Sequence, residues 1–484
     1  MIKIPRCMST QHPDNITNPF FSDSEVLYGE AEVKEAFYVF SELQITEQMW
    51  DSEGKEVDNQ VVEKLLSNHT DFFKRKKLGK DLFLTYRAPN PAVEKEQGKI
   101  LLETLHSIPR AFDVAQPINE GIAPIFEVIL PMTTSAEELE MVKSYYEKII
   151  IGQKNTKVGH ITIKEWVGDF QPETINVIPL FENYDSFLSC REILKKYLNN
   201  KKFEYQRVFL ARSDPALNYG SVPAVLMAKI ALQNLYFLEK EASVEIYPIL
   251  GVGGAPFRGN FRPDNISNCM NEYPSVQTFT IQSSFKYDHN FREVVKAVDE
   301  IKSIRRKKPL MIDETEAISI ISKIKHEYQK QMLSMVDLIN YVALYVPSKR
   351  MRKLHVGLFG YSRAVGNVKL PRAIKFCASF YSLGLPPEIL GLSALDDKEF
   401  EKLHDYYTNL DEDLNEVFGY LCLKNLEKLP PIVRKGVKKV LEWVDYEPNE
   451  RYEALTENIF SKVRKNKDIS HEVRQAAFLR KFLG

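Results

Sequence analysis

The chain has 484 residues, enough to bury a large core, and its 65 Lys and Arg nearly cancel its 66 Asp and Glu, a balance that argues against nucleic acid as the default partner. Five cysteines, Cys7, Cys190, Cys269, Cys377 and Cys422, form no CxxC pair; this leaves no zinc-ligand spacing or disulfide framework and fits a reduced, cytosolic protein. No apolar h-region opens the chain and no apolar run approaches a membrane span, so neither a signal peptide nor a membrane partner is expected.

The first twenty residues, ending MSTQHPDNITNPFF, are too rich in Pro, Asn and Thr for a helix or strand. His12 sits there in a rigid polar loop. Between residues 24 and 43, Val26, Val33, Ala36, Phe37 and Phe40 recur at helical spacing. A short strand through Met49 ends in Asp51, and a helix spans 61–73. The next strand, 81–87, ends in Arg87 and is stopped by Ala88-Pro89-Asn90-Pro91. An apolar strand at 125–132 leads to a helix near Ala136, where Ser135 and Glu138 have capping-box spacing.

Two strands then end in carboxylates. Asn176-Val177-Ile178-Pro179-Leu180-Phe181 runs into Glu182, and Val208-Phe209-Leu210-Ala211 runs into Arg212-Ser213-Asp214-Pro215. Unbroken apolar runs suit strands covered on both faces, and their C-terminal ends are where a parallel β/α barrel keeps its chemistry. Glu182 and Asp214 are hard oxygen donors, and two are enough for Mg²⁺ if water and substrate complete the octahedron. Taken singly, each carboxylate is better explained as a helix cap or an arginine partner; their matching positions tilt the reading towards a metal.

A strand at 246–250 enters the loop 251–259, GVGGAPFRG. It lacks nucleotide-binding spacing, but Gly253 and Gly254 can expose N–H groups to an anion, and Arg258 adds a planar fork. Arg87, Arg258, Arg363 and Arg372 all fall at strand ends or in adjoining loops. After a strand at 278–282, long Lys- and Glu-rich helical patterns read as an insertion near 290–346. A last strand at 355–360 precedes Tyr361-Ser362-Arg363. Counted from Met49 this gives eight strands, hence an α/β fold with a (β/α)8 barrel in 1–365 and a helical region in 366–484.

CMSTQHPDN, EQMWDSEGKEVDN, LTYRAPNP, VIPLFE, ARSDPALNYGSVPA, GVGGAPFRGNFRPDN, TIQSSFKYDH and LFGYSRAVGNVKLPRAIKF together resemble the archaeal-type phosphoenolpyruvate carboxylases, in one order over nearly the whole chain. The resemblance implies a phosphoenolpyruvate/pyruvate-type TIM barrel, a cytoplasmic homotetramer, and Mg²⁺ or Mn²⁺ on Glu182 and Asp214. The implied reaction takes phosphoenolpyruvate and bicarbonate to oxaloacetate and phosphate, through carboxyphosphate and a metal-bound pyruvate enolate. His12 matches the histidine of the larger carboxylases, implying a catalytic base; Arg87, Arg258 and Arg363 are implied catalytic arginines. Substrate binding is implied for Arg87, Gly253, Gly254, Arg258, Lys286, Arg363 and Arg372. Two basic residues of the larger enzymes fall on Val252 and Leu217 here, for which Arg87, Lys286 or Arg363 are expected to compensate. The alternative is another metal-dependent lyase or aldolase on the same barrel. The C-terminal tail, alternating apolar and basic residues after a helix capped by Ser470, is expected to dock near the site.

Overall fold

The structure, a computed structural model, describes residues 3–52, 58–351, 369–444 and 446–484. Eight parallel strands close a barrel: β1 (Cys7–Ser9), β2 (Glu47–Asp51), β3 (Phe83–Arg87), β4 (Glu127–Leu130), β7 (Asn176–Phe181), β8 (Tyr205–Ala211), β9 (Glu245–Gly251) and β10 (Thr278–Ile281). Two short strands between β4 and β7, β5 (Lys157–Val158) and β6 (Ile161–Thr162), pair separately.

Two expectations are corrected. The N-terminal segment does contain a strand: β1 pairs with β10, Cys7 opposite Phe279, and with β2. Three residues are too few to show a periodicity, and the Pro and Asn that argued against a strand lie beyond its end. Because β10 meets β1, the barrel closes without residues 355–360, which lie outside the described residues together with Arg363 and the boundary at 365/366. The helices Phe291–Ser303 and Glu314–Leu333 therefore follow the closing strand rather than interrupt the barrel; the first packs on β1 and the second on the helices after β8.

The barrel interior is filled by side chains in layers, as in such barrels generally. Met8, Met49, Ile129, Ile178, Leu180, Phe209, Ala211 and Ile249 form an apolar cluster separate from the outer core. Nearer the strands' N-terminal ends lies a buried ionic layer. There the Arg207 guanidinium donates to Glu47 and Glu127, each at 2.7 Å, with Thr85 and Tyr205 donating to the same carboxylates. Outside, the helix Ser221–Ala242 is apolar and long enough to cross a membrane by length and composition alone, but 89% of that stretch is buried inside the protein, and it packs on β9 and on neighbouring helices.

At the predicted capping box, Ser135 accepts from the Glu138 N–H as expected, while the Glu138 carboxylate turns to Asn90 and Thr134. Ser470 does not cap the last helix, Ser470–Arg480; its own N–H donates to Asp468 at 2.8 Å.

Candidate active site

At the C-terminal mouth of the barrel lies a cavity of about 320 Å³. Glu182 and Asp214 both line it. Their strands are neighbours, with Phe181 opposite Leu210. Glu182 therefore follows β7 at the level of Ala211, while Asp214 sits in the first turn of the helix Ser213–Tyr219. The Met132 N–H donates to one Glu182 oxygen at 2.8 Å. Among the described residues no group of three or more His, Cys, Asp or Glu is placed to hold a metal. Two hard carboxylates on one cavity wall are a donor set that would suit Mg²⁺ or Mn²⁺, with water and substrate oxygens completing the shell.

Arg87 reaches the same cavity as the last residue of β3. Its register partner is Asp51, and the two meet as a fork, Nε to Oδ1 at 3.0 Å and Nη2 to Oδ2 at 2.7 Å. Asp51 is only 1% exposed, so removing its charge strands a buried guanidinium. D51N is expected to lower the unfolding free energy by about 3 kcal/mol, measured by chemical denaturation; an unchanged midpoint would show the pair to be dispensable.

Arg258 lines the cavity, but its fork is already occupied. Nε donates to Ser213 at 3.0 Å, Nη1 to Asp14 at 3.2 Å and to the Gly484 carbonyl at 2.9 Å, and Nη2 to Gln282. The acid that engages it comes from the N-terminal loop, 244 residues away in sequence. Gly253 and Gly254 do not line the cavity, and their N–H groups donate to the Arg258 carbonyl and to Asp14. Their lack of a side chain serves close packing: a Cβ on Gly253 would lie 3.0 Å from Gln282 Oε1, and one on Gly254 would lie 2.4 Å from Ser284 Oγ. The loop is a brace, not an open anion cradle.

Lys286 is also displaced from its expected role. It is buried behind the cavity, where Nζ donates to Ser9 and the Thr10 carbonyl at 3.0 Å and to Glu35 at 2.9 Å. It fixes the loop that carries His12. The His12 imidazole lines the cavity, with Nδ1 2.8 Å from Thr10 Oγ1; the Asp14 and Ser283 N–H groups donate to the His12 carbonyl. Arg372, just ahead of the helix Ala373–Ser382, lines the cavity as well.

Four cations on the cavity wall were missed in the sequence: Arg212, Lys349, Arg350 and Lys375. Lys349 and Arg350 lie just past the helical patterns near 290–346, where nothing local in the sequence ties them to the barrel mouth. Lys349 donates to Glu25 at 3.0 Å, and Arg350 donates to Glu32 at 3.0 Å and to Glu35 at 2.7 and 2.6 Å. Burial pushes the Glu35 carboxyl up, but Arg350 and Lys286 outweigh it and hold the group at about 2. The Glu35 carboxylate therefore stays ionised at neutral pH, and the network ties the Lys349-Arg350 segment to the helix Glu30–Ser41.

Comparison with known proteins gives one answer. Residues 4–484 match the family described as phosphoenolpyruvate carboxylase. Proteins of that name from Methanospirillum hungatei and Methanothermobacter thermautotrophicus are 50% and 48% identical, with all of both chains covered. The one from Pyrococcus furiosus is 51% identical over 94% of this chain and 95% of its own. Among solved structures, an HpcH/HpaI aldolase from Desulfitobacterium hafniense covers 62% of this chain and 95% of its own, at 11% identity and a TM-score of 0.34. The chain belongs to the phosphoenolpyruvate carboxylase family.

Proposed function

We propose that the chain carboxylates phosphoenolpyruvate with bicarbonate, as a cytoplasmic homotetramer using Mg²⁺ or Mn²⁺, and releases oxaloacetate and phosphate. The observation that carries this reading is a single cavity in which the Glu182 and Asp214 carboxylates share the wall with His12 and a group of arginines and lysines. A divalent ion held by the two carboxylates supplies Lewis acidity and a template for substrate oxygens. The cations neutralise the transferring phosphoryl group, for which positioning and electrostatics do most of the catalytic work.

The bonds balance in two stages. A bicarbonate oxygen takes the phosphoryl group as the P–O bond to the enol oxygen breaks, giving carboxyphosphate and the pyruvate enolate. Carboxyphosphate then separates into carbon dioxide and phosphate, and the enolate methylene carbon bonds to the carbon dioxide. His12 removes the carboxyphosphate proton, a role suited to an imidazole. Its loop is pinned by Lys286 and by the Ser283 N–H, which keeps the ring on the cavity wall.

The reading is tested by measuring oxaloacetate and phosphate with and without bicarbonate; no bicarbonate-dependent oxaloacetate would overturn it. H12N separates the stages. It is expected to cut oxaloacetate formation by roughly 100-fold or more while keeping some bicarbonate-dependent release of phosphate. If both products fall in parallel, His12 acts before or during phosphoryl transfer.

A further inference from the structure

We propose that Arg212 binds an oxyanion of the substrate, a task that no residue of the glycine loop is free to perform. The inference rests on the phosphoenolpyruvate reading and names a contact within it.

The cavity's arginines differ in how their charge is answered. Arg87 is held by Asp51, Arg258 by Asp14, and Arg350 by Glu32 and Glu35. Each already faces a carboxylate, so each offers less to an incoming anion. Arg212 is 2% exposed, yet among the described residues no carboxylate oxygen lies within ion-pair distance of it. Its guanidinium meets only hydroxyl groups, Nη2 donating over a long 3.3 Å to Ser221 Oγ with the Tyr273 hydroxyl also within reach, while Nε and Nη1 are buried without a close protein acceptor. The Tyr273 hydroxyl beside it is neutral.

The acids nearby are taken by other groups. Arg212 also borders a second, water-sized cavity lined by Glu272 and Asp413. Glu272 pairs with Lys229, and Asp413 accepts from Asn260 and Tyr407. Burying a cation without a counter-charge is unfavourable, and such a cation has most to gain when an anion enters. Arg212 directly precedes Ser213-Asp214 at the end of β8 and lines the same cavity as the carboxylate pair. A phosphorylated acid drawn to the pair meets it there. The half-buried Lys375, also on the cavity wall, adds to the same field.

The test is calorimetric binding of phosphoenolpyruvate, inorganic phosphate and oxalate to the full chain with Mg²⁺, beside steady-state kinetics without and with R212Q and R212K. R212Q is expected to weaken phosphoenolpyruvate binding by roughly 100-fold, and R212K by about tenfold because the planar fork is lost. KM should rise more than kcat falls. Weakened phosphate binding with oxalate unchanged places the contact at the phosphoryl end, and the converse places it at the carboxylate end. Equal affinity of the wild type and both variants for all three ligands overturns the proposal. If R212Q does not fold, R212K decides alone: a folded R212K with wild-type affinities and KM makes Arg212 a structural residue. Wild-type protein that binds phosphate but neither binds nor turns over phosphoenolpyruvate would sink the carboxylase reading and leave the Arg212 comparison to be read on phosphate.

Discussion

Alanine at Glu182 or at Asp214 is expected to lower turnover by roughly 1,000-fold or more, since under the proposed metal role each change would remove one of the two carboxylates that hold the ion, and with it several kcal/mol of charge stabilisation. The fold should survive. Both side chains lie at the barrel mouth, beyond the packed interior, and Glu182's backbone donor, Met132, is on a loop. Thermal midpoints close to wild type, together with loss of Mg²⁺ binding by calorimetry, would complete the result. Near-normal turnover at saturating Mg²⁺ in both variants would remove the pair from the chemistry.

The second large effect is expected from the tail. Phe482 is fully buried, 5.3 Å from the Tyr381 ring, and the Arg480 guanidinium lies over it. The Leu483 N–H donates to the Asp14 carbonyl at 2.7 Å, while the Gly484 carbonyl accepts from Arg258. A Cβ on Gly484 would lie 2.1 Å from the Ile374 carbonyl oxygen, so the seat is fitted to glycine. Removing Phe482–Gly484 empties a core site, for which Phe-to-Ala changes cost about 3–5 kcal/mol. It also releases Arg258 and Asp14 from one side. Turnover is expected to fall at least about tenfold and the denaturation midpoint to drop with it. A truncated chain with full activity and unchanged stability would show that the tail merely rests on the surface.

What the sequence disclosed and what it hid follow one physical division. Glu182 and Asp214 were legible because strand and carboxylate adjoin in the chain: apolar runs predict buried strands, and the next polar residue marks the mouth. Asp51 and Arg87 were each legible as strand ends, but their pairing depends on register, which periodicity alone does not supply. The partners of Arg258 and Lys286 lie 244 and 251 residues away; nothing local distinguishes an arginine with a remote acid from one open to substrate. The same blindness hid Arg212, which no carboxylate among the described residues pairs with. β1 escaped because three residues carry too little pattern, and the count of eight was reached by way of a segment the closed barrel does not use.

The ionic layer of Glu47, Glu127 and Arg207, with the apolar cluster above it, bears on how a small gas is kept. On the proposed reaction, carbon dioxide released inside the mouth would be neutral and would not be retained by the cations around it. Beneath it the axis is blocked, first by Leu180, Phe209 and Ile249 and then by charges locked to one another. Among the described residues the rim is formed by residues 347–350 and the start of the helix Ala373–Ser382, and leakage is expected outwards past them. Losses of carbon dioxide to the medium should consequently respond to substitutions on that rim and be indifferent to conservative changes on the barrel floor.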